Sequence, residues 1–512
     1  MERKRGVIFS YIALCFEIIS GLIFTPFLIR FFGQAEYGVY GLVLNITAYM
    51  ALLDMGVGNA IVKYMSKYRV NNEIEEQKKV LGITIIFYSI IAAIVISIGF
   101  LITHNIGLFF SNGLLPSELQ RAKIMLNITF INCALTMWLY SFNKVIIAYE
   151  KFTLSQITLI IRIVLRVIIL VPILLIGGKG ISVILVDMLL TICFGVFSIF
   201  YVLKKIVLKP QFYNLNFSFI KEITVYSTFI FLQMIATQIN AMVDQILIAA
   251  IVPASATLLA IYGLGSQICS YIQRIALAVN GVLMPGIVKM VEINATPDDL
   301  EKEMVKVGRI IFMILIIIWG NILLFGKSFI RIYAGDEYIN SYYVILLVSF
   351  PMILSLPQSI GTQILWAKNK HKVQAILKIF VAIVNIGLTT ILIKWQPLIG
   401  AALGTCFALF FGDVVVMNIV FRKNIRIKIK RYYRELSKGI IGMFIFSMGV
   451  GIIFKIFEKS GIFNFLLNCG CVTLVYIIAM FIRGFNEYEK SLVLHMLKNL
   501  KLKFKKHINL EG

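Results

Sequence analysis

The stretch 80–104, VLGITIIFYSIIAAIVISIGFLITH, contains no aspartate, glutamate, lysine or arginine. At about 1.5 Å per residue, a helix of this length crosses a hydrocarbon core of about 30 Å. The stretch must be helical, because lipid offers no hydrogen-bond partner to free backbone groups. It therefore predicts a membrane-spanning helix.

The same pattern recurs along almost the whole chain, which is 60% hydrophobic and 14% charged with a mean hydropathy of +0.91. This composition is typical of membrane proteins. We predict an all-α integral membrane protein with about fourteen transmembrane helices and short loops. The predicted spans are 7–31, 38–62, 80–104, 122–148, 154–176, 180–203, 223–250, 257–287, 306–326, 342–366, 373–395, 398–421, 438–457 and 462–482.

Lysine and arginine are unequally divided between the loops. Alternate loops, starting at the N-terminus, hold 35 of the 49 basic residues, the other loops hold 7, and 7 lie within spans. The positive-inside rule then places both termini in the cytoplasm of a multi-pass protein. We attribute the net charge of +24 to this topology and to contact with anionic membrane lipids, not to nucleic-acid binding. The basic tail 498–506 is a candidate interfacial helix.

A short motif occurs twice, as Tyr40-Gly41-Leu42 in the second predicted span and as Tyr262-Gly263-Leu264 in the eighth. Because the copies are six spans apart, they predict two six-helix lobes of the same orientation, related by a pseudo-twofold axis along the membrane normal. We place the N-terminal lobe at 1–210, the C-terminal lobe at 211–425, and two additional helices with a basic cytoplasmic tail at 426–512.

Three motifs near the N-terminus resemble a known family. FLIRFFG (27–33), EYGVY (36–40) and LDMGVGN (53–59) are similar to those of the Wzx-like polysaccharide and O-antigen flippases, a branch of the MATE/MOP transporter superfamily. The resemblance implies a MATE-like fold with a central cavity in the bacterial cytoplasmic membrane. It also implies translocation of undecaprenyl-diphosphate-linked oligosaccharide by alternating access, with polysaccharide-assembly proteins as partners.

Arginines deep within spans are the candidate diphosphate site. Arg162 and Arg166 share one face of the fifth span, and Arg274 lies near the middle of the eighth. A charge at mid-bilayer is costly, so it faces a wet cavity or a partner. Arginine suits phosphate because its planar fork donates two parallel hydrogen bonds. The alternative for the first two is a structural ion pair with Asp187 or Asp54.

A polar stripe follows one face of the seventh span, through Gln233, Thr237, Asn240 and Asp244. Such a stripe is unfavourable toward lipid, so it lines a cavity or packs against another helix. We assign Gln233, Thr237 and Asn240 to sugar binding, with interhelical hydrogen bonding as an equal alternative.

Two further sites concern coupling and movement. Glu17, near the middle of the first span, either pairs with an arginine or carries a proton, which would make it a site for H⁺ or Na⁺ coupling. Asp54, Gly56 and Gly58 form a glycine-rich segment that we assign to a hinge or to helix packing.

Enzyme and metal chemistry find little support. The four histidines show no metal-ligand spacing, and the chain has no GxxxxGK[ST] phosphate loop. We therefore predict no cofactor, no metal and no catalytic residue. Two alternatives to a flippase remain open: a cation-coupled multidrug exporter of the same fold, and a membrane polymerase or glycosyltransferase of polysaccharide assembly.

Overall fold

The structure, a computed structural model, describes residues 2–50, 52, 57–111, 113–213, 218–293, 295–368, 370–458 and 461–491. Every regular element in this part of the chain is helical, which confirms the predicted all-α class. The α-helices are α1 (Glu2–Phe32), α2 (Gln34–Ala48), α3 (Val57–Val70), α4 (Ile74–His104), α5 (Ile106–Phe110), α6 (Pro116–Ala148), α7 (Phe152–Leu175), α8 (Gly180–Phe200), α9 (Ser218–Ile251), α10 (Ala256–Glu292), α11 (Pro297–Tyr333), α12 (Ser341–Ser355), α13 (Ser359–Ala367), α14 (His371–Ile393), α15 (Pro397–Leu409), α16 (Met417–Asn424), α17 (Ile429–Ser437), α18 (Ile440–Ile456) and α19 (Ile462–Ala479).

Among the described residues, eleven helices are long and apolar enough to cross a membrane, and a bent pair, α17 with α18, makes a twelfth. The predicted spans 38–62 and 257–287 include residues or side chains outside the described set. The count of fourteen spans therefore stays a prediction. The long apolar helices do show that the chain is an integral membrane protein.

Several helices begin where the sequence supplies a cap. The Thr296 side chain accepts a hydrogen bond from the backbone N–H of Asp299, and Pro297 occupies the first position of α11. At α6, the Glu118 carboxylate accepts the N–H of Leu115 at 2.9 Å, and Pro116 again comes first. These contacts satisfy backbone donors that a helix start leaves without partners.

The chain divides into two compact units. The first comprises Met1–Tyr271, Asp336–Val348 and Asn369–Met417, and the second comprises Ile272–Gly335, Ser349–Lys368 and Asn418–Gly512. The lobe boundaries predicted at 210 and 425 stay a prediction.

A buried ion pair holds the second unit together. Arg309 of α11 binds Glu489 at 2.6 and 3.1 Å, and both side chains are almost completely buried. The same guanidinium donates to the carbonyl oxygens of Glu435 and Lys438, each at 2.8 Å, and of Gly484 at 3.1 Å. It therefore connects α11 to the α17–α18 junction and to the chain beyond α19.

Candidate functional site

Two arginines of α7 face α8 in the first unit. The guanidinium of Arg166 donates two hydrogen bonds to Asp187, with distances of 2.6 Å from Nε to Oδ1 and 2.9 Å from Nη2 to Oδ2. Arg162, one turn earlier, donates to the Thr191 hydroxyl at 2.9 Å. All three charged side chains are part-buried, and the i,i+4 spacing places both arginines on the same face of α7.

Helices α1 and α2 complete this centre. The Tyr40 hydroxyl lies beside the Arg166 guanidinium, and the centre of the Phe24 ring lies 5.7 Å from the Arg166 guanidinium carbon. Both aromatic side chains are buried. We name Tyr40, Arg162, Arg166, Asp187 and Thr191 the arginine centre. It holds two positive charges and one negative charge.

The bidentate contact with Asp187 is the structural ion pair predicted as the alternative for Arg166. Arg162 differs, because within the described residues it forms no ion pair. The other N–H groups of the Arg162 guanidinium can donate hydrogen bonds to a ligand. Arg274 is exposed on α10 and belongs to the second unit, so the predicted three-arginine diphosphate site stays a prediction.

A second polar centre surrounds Asp244 of α9, whose side chain is 2% exposed. The hydroxyls of Tyr262 and Thr405 both donate to its Oδ2 atom, and the Thr389 hydroxyl donates to Oδ1 at 3.0 Å. No basic side chain among the described residues pairs with this carboxylate. Burying a carboxylate without a counter-charge is costly in free energy unless several hydrogen-bond donors, a bound proton or a cation compensate for the charge.

The amide of Asn385 determines where the threonine protons go. Its Oδ1 atom lies 3.1 Å from the Thr389 hydroxyl and 3.2 Å from the Thr405 hydroxyl, whereas its buried Nδ2 atom has no partner. Exchanging the amide nitrogen and oxygen removes this conflict, since the nitrogen then donates to both threonines and both hydroxyls are free to donate to Asp244. We adopt that orientation. We name Asp244, Tyr262, Asn385, Thr389 and Thr405 the aspartate centre.

The rest of the polar stripe of α9 is divided. Asn240 is buried and donates to the carbonyl oxygens of Ala236 at 2.9 Å and Lys378 at 3.5 Å, which is the interhelical alternative. Thr237 is exposed. The Gln233 side chain lies outside the described set. Sugar binding by these three residues stays a prediction.

The remaining candidates fall in the N-terminal helices. Glu17 is exposed on α1, and its coupling role stays a prediction. Asp54 and Gly56 lie outside the described residues. Gly58 is buried in α3, where a Cβ atom would lie 2.7 Å from Cε of Lys144. This close contact favours the packing role for Gly58.

Both copies of the repeated motif lie at the polar centres. Tyr40 contacts the arginine centre and Tyr262 the aspartate centre, and both are almost fully buried. A Cβ atom on Gly41 or on Gly263 would lie 3.8 or 3.5 Å from the same atom, Oε1 of Gln245. The two copies thus face one buried glutamine.

A family model described as "Polysaccharide biosynthesis protein" matches residues 4–291, which is more than half of the chain and includes the arginine centre and Tyr262. The chain belongs to the polysaccharide biosynthesis protein family. A comparison with curated protein sequences found no match.

Solved structures of similar fold include a lipid II flippase, MurJ, in an inward closed conformation. Its TM-score is 0.66 at 18% identity, with 95% of this chain and 100% of that chain covered. An inward-facing MATE-family multidrug resistance transporter of the MOP superfamily gives a TM-score of 0.66 at 13% identity, covering 81% of this chain and 94% of that one. A MOP superfamily transporter from Pyrococcus furiosus gives 0.55 at 15% identity, covering 85% and 96%.

These likenesses confirm the predicted MATE-like fold for this polysaccharide biosynthesis protein. The three neighbours are described as transporters or flippases, and their likeness to this chain shows its fold.

Proposed function

We propose that this protein is a Wzx-like flippase. It moves undecaprenyl-diphosphate-linked oligosaccharide from the cytoplasmic to the outer leaflet of the bacterial cytoplasmic membrane by alternating access, with both termini in the cytoplasm. Family membership and fold support the class of function. The observation that carries the choice of cargo is the arginine centre, where two guanidinium groups at membrane depth face one carboxylate.

The arginine centre can receive a diphosphate in two steps. Arg162 has spare N–H donors and is the first contact for a phosphate oxygen. Asp187 holds the Arg166 fork in one orientation, and a diphosphate competes with Asp187 for that fork. In this proposal the exposed Thr237 contacts sugar.

Paired substitutions test the anion site. Arg166→Ala removes the fork, whereas Asp187→Asn keeps the shape of its partner and removes the competing charge. We expect Arg166→Ala to reduce translocation of a polyprenyl-diphosphate-linked oligosaccharide by about tenfold or more, because a hydrogen bond to a charged group contributes about 1.5–3 kcal/mol. We expect Arg166→Lys to be intermediate and Asp187→Asn to keep or increase activity.

The assay is translocation in proteoliposomes at matched protein content, with complementation of a flippase-deficient strain as a second readout. If the ion pair is only structural, Arg166→Ala and Asp187→Asn lose activity equally. That result would remove the arginine centre from the cargo site.

We also propose that transport is coupled to H⁺ or Na⁺, at Asp244 in preference to Glu17. The support is the burial of Asp244 and its shell of hydroxyl oxygens, since oxygen atoms are the ligands of hard cations and hydroxyls can reverse to accept a proton.

The same carboxylate favours a second candidate function, a cation-coupled exporter of amphipathic drugs. Uptake of a fluorescent cationic dye into inverted vesicles separates the two. Ion-dependent dye transport without translocation of the lipid-linked oligosaccharide would establish the exporter.

A further inference from the structure

A basic surface covers the connection from α16 to α18 in the second unit. Residues 422–438 contain eight lysines or arginines and one acid, Glu435. Asp298 and Glu301 of α11 pair with two of the eight, Lys428 and Arg431. Five others are exposed and form no ion pair or side-chain hydrogen bond with the described part of the chain: Arg422, Lys423, Arg426, Lys430 and Lys438. We name these five the basic face.

The connection from α16 to α18 also has a buried apolar side, opposite the basic face. Along 425–428 the residues alternate between buried isoleucine and exposed cation, which is the period of an extended strand. In α17, Tyr432 and Leu436 are 1% exposed and lie one turn apart, whereas Lys430 and Arg434 lie on the opposite side. The connection is thus amphipathic and is fixed by its apolar side.

The basic face lies where two apolar helices end. The helical stretch Pro397–Asn424 is long enough to span a membrane and stops at the start of the connection, and α18 starts just after it. Cations at the end of a membrane helix lie at the level of the lipid headgroups, where anionic lipids attract them. We propose that the basic face binds the phosphate headgroups of anionic phospholipids and that this binding stabilises the break between α12 and α13.

Two tyrosines connect the basic face to that break. The break is the 3-10 turn Leu356–Gln358. The Tyr432 hydroxyl donates to the carbonyl oxygen of Pro357 at 3.1 Å. The Tyr433 hydroxyl is hydrogen-bonded to the side chains of Gln358 and Asn418, the latter at 3.0 Å. A broken membrane helix needs partners for its backbone groups, and α17 supplies one of them.

Hydrogen exchange tests the proposal without an assay of cargo. The full chain is placed in nanodiscs of phosphatidylcholine, with and without phosphatidylglycerol, and exchange is followed in peptides covering 353–368. We expect phosphatidylglycerol to slow exchange there several-fold, and high salt to reverse the effect, because salt screens exposed charges. Equal exchange in the two lipids would overturn the proposal.

A matched pair of variants locates the lipid. One triple variant removes three charges from the basic face, and its control removes three exposed lysines near the end of α8 in the other unit. The variants are Arg422→Gln/Lys423→Gln/Lys430→Gln and Lys204→Gln/Lys205→Gln/Lys209→Gln. We expect only the first to lose bound phosphatidylglycerol in native mass spectrometry and the slower exchange at 353–368. The same loss in both variants would refute a specific site.

The variant Tyr433→Phe distinguishes the binding of anionic lipid from the stabilisation of the break between α12 and α13. The variant keeps every charge but removes the hydroxyl that contacts Gln358. We expect it to retain phosphatidylglycerol and to lose the lipid-dependent protection of 353–368. Protection equal to that of the unmodified chain would refute the connection through the Tyr433 hydroxyl.

A final arm replaces phosphatidylglycerol with a polyprenyl diphosphate in phosphatidylcholine. Protection by the diphosphate lipid but not by phosphatidylglycerol would assign the basic face to cargo capture and overturn the proposal.

Discussion

The Asp244 carboxylate presents the clearest problem at the scale of single residues. An ionised carboxylate that is 2% exposed, without a basic partner among the described residues, costs several kcal/mol to keep buried. We predict that Asp244→Asn, which conserves volume, abolishes the dependence of transport on H⁺ or Na⁺ and changes the thermal midpoint by only a few degrees. Transport by purified protein across ion gradients is the measurement, and unchanged ion dependence would rule out Asp244 as the coupling group.

Neighbouring threonines on α14 give a controlled test of the hydroxyl shell. Thr389 is buried and donates to Asp244, whereas Thr390 is half-buried and donates to the Ile386 carbonyl oxygen in its own helix. We predict that Thr389→Val lowers the free energy of unfolding by about 1–3 kcal/mol, because a buried acceptor loses a donor. Thr390→Val should stay within about 0.5 kcal/mol. Unfolding in mixed micelles measures both, and equal effects would mean that the hydroxyl shell does not stabilise Asp244.

The sequence predicts some of these residues and not others. Depth in the membrane identified Arg162, Arg166 and Asp187, because charges there need partners, and the pairing of Arg166 with Asp187 was one of two predicted outcomes. It did not identify Thr389 or Thr405. Hydroxyl side chains in membrane helices commonly bond to their own helix, so they carry no comparable signal.

At the scale of helices, Arg309 decides how α11 meets the C-terminal segments. We predict that Arg309→Ala lowers the free energy of unfolding by about 3–5 kcal/mol, because it leaves Glu489 charged, buried and without its partner. Lys302→Ala on the same helix is the control, since its pair with Asp299 is exposed and contributes little.

Thermal unfolding in detergent, followed by tryptophan fluorescence, compares the two variants of α11. A midpoint for Arg309→Ala as high as that for Lys302→Ala would show that the pair is dispensable. A specific loss of protection at the α17–α18 junction, measured by hydrogen exchange, would assign the effect to the carbonyl contacts of Arg309.

Hydropathy located the helices but not their interruptions. The predicted span 342–366 contains the 3-10 turn at Leu356–Gln358, and the predicted span 398–421 contains the π-helix Phe410–Val416. Averaged hydrophobicity does not detect either break, because both segments remain apolar. The contact of Arg309 with Glu489 was not predicted because 180 positions separate the two residues.

At the scale of the whole molecule, the repeated motif predicted two related halves, and its two copies do meet in the first unit at Gln245. The helices that carry them, α2 and α10, approach closely. A Cβ atom on Gly38 would lie 1.9 Å from the Ala256 carbonyl oxygen, while a Cβ atom on Gly41 would lie at an ordinary 3.8 Å from Gln245 Oε1. Glycine at 38 is therefore a condition for this contact.

We predict that Gly38→Ala separates α2 from α10, whereas Gly41→Ala, one turn away on the same helix, does not. The added methyl group at 38 meets backbone, which cannot move aside as a side chain can, and overpacking of this kind costs about 1–3 kcal/mol. In the alternating access that we propose, one face of the protein opens, so the variant should favour the state in which these helices are apart. We expect faster hydrogen exchange across 34–48 in Gly38→Ala alone. Equal exchange in the two variants would mean that the close contact between α2 and α10 does not require glycine at position 38.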